Sequence, residues 1–188
     1  MSADPASVKA RGSTAKGSAL GGLISTWIRD IPDYPKQGVV FKDITPLLGD
    51  GAAFRAVVDG LAASYDVDKV AGIEARGFIL AAPVACRLGA GFVPVRKKGK
   101  LPAATFSEDY ELEYGTATIE VHRDAFAPSD RVLIVDDVLA TGGTARATAD
   151  LVRRSGAAVA GIAVLIELSF LSGRDKLADL PVSALLTI

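Results

Sequence analysis

The sequence predicts an α/β domain, a mostly parallel sheet with helices on both faces, and three observations predict it. Short, continuously apolar runs recur at 70–73, 92–95, 132–135 and 157–166, as strands buried on both faces require. Segments with helical spacing alternate with them, the pattern of parallel strands joined by crossovers. Unusual polar residues gather where three of these strands end, and ligands in such sheets bind beyond the carboxyl ends of the strands. A length of 188 residues fits one domain with a sizeable core. A net charge of −1 gives no sign of general binding to nucleic acid or an anionic membrane.

Residues 1–19 are rich in Ser, Ala, Gly and Lys and read as a disordered tail ahead of a single domain, 20–188. They lack the apolar core of a secretory signal; their basic residues leave a transit peptide as the alternative. Leu20, Leu23, Ile24, Trp27 and Ile28 follow the spacing of an amphipathic helix. Pro32 and Pro35 end it and force extended chain, and 38–44 reads as a short strand. Asp50 is placed to cap a helix whose apolar face is Phe54, Val57, Val58 and Leu61. Strand 70–73 exits through Glu74, Ala75, Arg76 and Gly77 into a helix running to about Leu88. Cys86, the single cysteine, reads as part of that helix's buried face; alone it can form no intrachain disulfide, which suits a reducing compartment. Strand 92–95 exits into Arg96, Lys97, Lys98, Gly99 and Lys100, four cations in five residues. Segments 111–114 and 116–122 look like a hairpin hinged at Gly115, with Ala117, Ile119 and Val121 alternating against Thr118, Glu120 and His122. His122 is the only histidine, and without a cysteine cluster it suggests no zinc site. A strand at 157–166, a short helix from 173 and a final strand at 182–188 complete the chain. No apolar run reaches the roughly 18 residues of a membrane-spanning helix.

The stretch 132–148, VLIVDDVLATGGTARAT, carries the most chemistry. It reads as a buried strand, an acidic strand end (Asp136, Asp137), a turn (Ala140, Thr141, Gly142, Gly143, Thr144) and a helix start. A helix N-terminus behind a glycine turn presents free backbone N–H groups and a positive dipole end, which suits a phosphate. No Lys follows the glycines, so this is not a triphosphate loop; no GxGxxG is present, so the dinucleotide fingerprint fails as well. Two carboxylates beside a cradle for one phosphate suit the diol of a ribose 5-phosphate. Arg76, Arg96, Lys97 and Lys100 exceed what one phosphate held by a helix end needs, and suggest a second anion such as pyrophosphate.

The ordered set VLIVDDVLATGGT, IPDYPKQGVVFKDITPLL, GIEARGF, VRKKGKLP, LEYGTATIEVHRDA and GRDKL resembles the adenine phosphoribosyltransferases of the type I phosphoribosyltransferase superfamily. The resemblance runs from about Ile28 to the C-terminus. It implies the type I fold, with a small hood contributed mainly by 20–45 and a flexible catalytic loop at about 103–120. It implies purine salvage: adenine and phosphoribosyl diphosphate (PRPP) give AMP and pyrophosphate, with Mg²⁺ held mainly through PRPP and pyrophosphate. By resemblance Asp136 and Asp137 hold the ribose hydroxyls, and Ala140, Thr141, Gly142, Gly143 and Thr144 cradle the 5′-phosphate. Arg76, Arg96, Lys97 and Lys100 meet pyrophosphate, some across a dimer interface, with Arg76 counted among the catalytic groups. The family has a non-proline cis peptide at the position of Glu74–Ala75. Val40 offers its backbone to the adenine edge, and Phe41 and Leu168 sandwich the ring. Glu113, beside Tyr114 in the loop, is the candidate acid/base near the purine N7/N9 edge. Lys42 stands where relatives often have Arg.

The same resemblance implies a cytoplasmic homodimer that binds neither nucleic acid nor membrane. Two alternatives stay open. One is a phosphoribosyltransferase for hypoxanthine, guanine or xanthine, against which the short GVVFKDI and LEYG segments argue. The other is a PRPP-binding regulator without catalysis, against which the near-neutral charge argues.

Overall fold

A computed structural model describes residues 13–111 and 115–188, with side chains from residue 20 onward. Its centre is the strand β7 (Arg131–Leu139). Val132 and Ile134 face one core cluster, while Leu133 and Val135 face the other. All four are fully buried. That is why 132–135 shows no polar alternation: each residue that turns from one face meets apolar packing on the other. Burying a side chain of this size stabilises by about 1.5–3 kcal/mol.

Beside β7 lie β3 (Lys69–Ile73) and β8 (Ala158–Glu167), both parallel to it, with β4 (Gly91–Lys97) next to β3 and β9 (Val182–Thr187) next to β8. The antiparallel hairpin of β5 (Thr105–Glu111) and β6 (Thr116–His122) extends the sheet from β4. The seven-stranded order is β5-β6-β4-β3-β7-β8-β9. The mostly parallel sheet with helices on both faces is the architecture expected from the alternation of strands and helices.

One face carries α1 (Ser13–Trp27), α3 (Gly51–Ala62) and α4 (Arg76–Leu88); the other carries α5 (Gly143–Arg154). Asp50 caps α3, its carboxylate accepting from the N–H groups of Ala52 and Ala53 at 3.1 and 2.8 Å. On α4 the buried residues are Gly77, Leu80, Ala81, Val84 and Ala85. Cys86 falls on the opposite side and is exposed, so the expectation of a buried thiol is corrected. The apolar stripe stops at Ala85, and the left-handed Gly89 closes the helix by donating to Ala85 O and Cys86 O.

Two other expectations shift. α1 begins at Ser13, so 13–19, read as tail, are helical. The expected hairpin about Gly115 reaches further back than 111: it pairs from Thr105↔His122 to Glu111↔Thr116, so much of the expected loop 103–120 is strand, while 112–114 of the expected first arm lie outside the described residues. Thr105, Phe106 and Ser107 lack the clean apolar alternation that would have marked the first strand. A separate two-stranded piece, β1 (Arg29–Pro32) with β2 (Val40–Asp43), follows α1 and leads into the one-turn α2 (Thr45–Gly49). Its second strand matches the expected 38–44; its first was masked by Pro32, which ends it. No helix of the described residues is long and apolar enough to cross a membrane.

Candidate active site

The parallel order places the carboxyl ends of β4, β3 and β7 side by side. Glu74 continues the pairing one step past β3, its N–H donating to Val95 O at 2.9 Å. The Glu74–Ala75 bond is cis. Arg76 opens α4, and its Nη2 lies 2.8 Å from Asp137 Oδ2. Gly77 brings the first turn of α4 onto the end of β7: a Cβ there would stand 2.7 Å from Asp136 Oδ1 and 3.1 Å from Val135 O. Only glycine permits that approach.

At the acidic end, Asp137 is 5% exposed and Asp136 half-buried. Asp136 Oδ1 accepts from the N–H of Asp137 at 2.9 Å. Burial, and then the charge of Asp137, push the Asp136 carboxyl well above the usual range. Burial also raises Asp137, opposed by the Arg76 guanidinium. Two carboxylates share one cation, and the pair stands ready to accept hydrogen bonds or charge.

The turn that follows is built for close backbone approach. Gly142 adopts φ +79°, and a Cβ on it would collide with the carbonyl oxygen of Gly173. A Cβ on Gly173 would collide in turn with Ala140 O. Arg146 N donates to Gly142 O at 2.9 Å, the first bond of α5, so the N–H groups of Gly143, Thr144 and Ala145 precede the helical ladder. Asp136 and 138–145, with Val164, line a cleft of about 70 Å³. The structure therefore gathers Asp136, Ala140, Thr141, Gly142, Gly143 and Thr144 in one place, with Asp137 adjacent.

Sequence reasoning gave no role to the residues behind this turn. The short 3-10 segment 173–177 backs it, and a two-pronged pair holds the segment: Arg174 Nε to Glu167 Oε1 at 2.6 Å and Nη2 to Glu167 Oε2 at 2.7 Å. Glu167 is 6% exposed. The signal available was an acid ending an apolar strand seven residues before an Arg in GRDKL.

At the basic end, Glu74 is the organiser that the sequence did not single out. Its Oε2 accepts from Arg96 Nε at 3.3 Å and from the N–H of Lys97 at 3.1 Å, and its Oε1 pairs with Lys100 Nζ. Burial would raise the Glu74 carboxyl, but the Lys100 and Lys97 bonds and the neighbouring cations outweigh it and hold it below the usual range. Arg76, Arg96 and Lys100, expected as cations for an anion, are thus each paired with a carboxylate of the protein.

A phosphoribosyl transferase domain model matches residues 48–180. The chain is 64% identical to the adenine phosphoribosyltransferase of Thermobifida fusca, over 88% of this chain and 96% of that one. The crystal structure of the Thermoanaerobacter pseudethanolicus adenine phosphoribosyltransferase is 52% identical, covering 88% of this chain and 98% of that one, with a TM-score of 0.86. The Saccharomyces cerevisiae enzyme, solved with an iminoaltritol bisphosphate and adenine, is 35% identical over 90% and 99% of the two chains, with a TM-score of 0.84. The chain belongs to the adenine phosphoribosyltransferase family.

In this family member the β1–β2 hairpin reaches the site through Arg76. Arg76 Nη1 donates to Lys42 O at 3.1 Å, and its guanidinium carbon lies 4.6 Å from the centroid of the Phe41 ring. Tyr34 packs edge-on against the same ring at 5.1 Å. Val40 is 50% exposed at the head of β2. Lys42 pairs with Asp30 across the hairpin at 2.8 Å. Leu168 follows β8, half-buried, and its N–H donates to Leu139 O at 2.9 Å. Lys97 joins the site by its backbone. Glu113 and Tyr114 lie outside the described residues. Their hairpin is docked over α5: a Cβ on Gly143 would stand 3.1 Å from Glu111 O. Arg154 Nη2 donates to Ser107 O at 2.6 Å.

Proposed function

We propose that this chain catalyses transfer of the 5-phosphoribosyl group from PRPP to adenine, giving AMP and pyrophosphate in purine salvage. The observation that carries this reading is the junction at the ends of β3, β4 and β7. There the half-buried Asp136, the buried Asp137 and the glycine turn after them adjoin a cluster of cations, and Arg76 links Asp137 to the Phe41 ring of the β1–β2 hairpin.

In the proposed roles, Asp136 and Asp137 accept the ribose hydroxyls, and the backbone of 140–144 with the Thr141 and Thr144 hydroxyls holds the 5′-phosphate. Arg76, Arg96, Lys97 and Lys100 receive the leaving pyrophosphate, where fixed positive charge stabilises the negative charge that develops. Val40 and Phe41, with Leu168, bind the base through backbone and apolar surface, as a neutral ring requires. Glu113 manages the proton at the N7/N9 edge, with Tyr114 beside it. Mg²⁺ takes oxygen ligands and binds through one or two carboxylates together with substrate phosphates; the carboxylates beside this turn, Asp136 and Asp137, fit that donor set. When bound, the ion supplies charge neutralisation on the diphosphate.

The proposal includes a homodimer, supported by the exposed apolar residues Ile79 and Phe92 on α4 and β4. It includes a cytoplasmic setting, which suits the exposed free thiol of Cys86.

The test is formation of the matching nucleoside monophosphate from PRPP with adenine, hypoxanthine, guanine and xanthine, with and without Mg²⁺. AMP formation dependent on Mg²⁺ is expected; best turnover on a 6-oxopurine would sink the adenine reading.

A further inference from the structure

Glu74 carries a carboxylate for which the proposed reaction names no task. Its side chain is 10% exposed, at the end of β3. It grips the neighbouring exit at three places: the side chain of Arg96, the backbone N–H of Lys97 and the ammonium of Lys100. Arg96 Nη1 then donates to Lys100 O at 3.0 Å, and Lys100 N donates to Lys97 O at 3.3 Å. One carboxylate thus closes the turn 96–100 from start to end. From the hairpin side Glu120, 6% exposed, accepts from Gly99 N at 2.9 Å. Four cations in five residues repel one another, and these two acids hold the backbone of the turn, with Arg96 and Lys100, in a single arrangement.

Glu74 leaves some donors over. Among the described residues, Arg96 Nη2 and the ammonium groups of Lys97 and Lys98 have no hydrogen-bond acceptor or ion-pair partner. These groups, with the ammonium N–H bonds of Lys100 that Glu74 does not take, are left for an incoming anion.

We propose that Glu74 is a positioning residue for pyrophosphate, fixing the turn 96–100 so that its remaining donors form a site before the anion arrives. Long cationic side chains lose rotamer freedom when they bind, and holding their backbone and neighbours beforehand lowers that cost. Glu74 need not touch the anion to do this. The inference rests on the reading of 96–100 as the pyrophosphate exit.

The test compares the wild type with Glu74→Gln and Lys97→Ala by calorimetry, using pyrophosphate with Mg²⁺ and, separately, AMP. Glu74→Gln keeps the size of the side chain and loses its charge. It should weaken pyrophosphate by about tenfold, the lower end of what supporting residues contribute at other sites, while AMP affinity stays unchanged. In turnover the KM for PRPP should rise more than kcat falls, and Glu74→Asp should recover part of the loss. If Lys97→Ala weakens pyrophosphate and Glu74→Gln does not, the positioning role alone is overturned. Indifference of pyrophosphate to both variants removes the exit reading and the inference with it. Equal loss of AMP and pyrophosphate in Glu74→Gln would make Glu74 a general support of the fold, and would also overturn the proposal.

Discussion

Replacing Asp136 by asparagine should make the protein more stable and a worse binder of PRPP. The folded chain sets two adjacent carboxylates, Asp137 buried and Asp136 half-buried, against one guanidinium, Arg76, which pairs with Asp137 at 2.8 Å. The amide oxygen of the new side chain can still accept from the N–H of Asp137, as Asp136 Oδ1 does at 2.9 Å. What the change removes is the carboxylate left without a counterion. A gain of about 1–2 kcal/mol at neutral pH is the scale for relieving one such functional charge, or roughly 2–4 °C in Tm per kcal/mol for a chain of this size. The sign with pH follows from the raised carboxyl. A native state that holds its proton more tightly than the unfolded chain loses stability as pH rises from the unfolded pKa, about 3.9, to the folded one. The advantage of the Asp136→Asn variant should therefore be full above the folded pKa and shrink as pH falls toward about 4. Urea unfolding followed by the fluorescence of Trp27, without PRPP or Mg²⁺, measures this at about pH 8 and in steps downward. PRPP affinity by calorimetry should fall by about 1.5–3 kcal/mol, the worth of a charge-assisted hydrogen bond. A variant that is less stable at the alkaline end of that series, or whose gain does not change with pH, would refute the charge argument.

Three further changes probe other parts of the site. Arg76→Met should cost about 2 kcal/mol in urea unfolding, below the usual 3–5 kcal/mol for breaking a buried pair because Arg76 is itself 35% exposed. The cost should shrink in an Asp137→Asn background; strict additivity would mean the two are not coupled. Gly142→Ala forces a left-handed backbone on alanine and a clash with Gly173. It should lose about 1–3 kcal/mol together with ribose 5-phosphate binding, and an unchanged Tm would count against the close packing of the turn. Glu113→Gln should lower turnover more than PRPP affinity in steady-state assays; untouched turnover would leave Glu113 as a loop carboxylate only.

Much of this molecule is written in local patterns. The apolar runs at 70–73 and 132–135, the cap at Asp50 and the glycine turn at 142–143 are legible because burial on both faces, capping and positive φ each select residue types directly. Less legible were features whose cause is distant in sequence. Cys86 looked buried because it follows an apolar run, but α4 turns it away from the sheet. The first hairpin strand lacks alternation, and pairing with 116–122 supplies its order. Glu74 and Glu167 look like ordinary strand-end acids; their meaning comes from Arg96 and Lys100 on the next strand and from Arg174 across a turn. The sequence alone determined the fold class and the chemical character of each strand exit, since hydrophobic period and residue type are properties of short segments. Only the tertiary structure decided which charges neutralise one another, because strand order, fixed by packing over the whole sheet, sets which exits are neighbours.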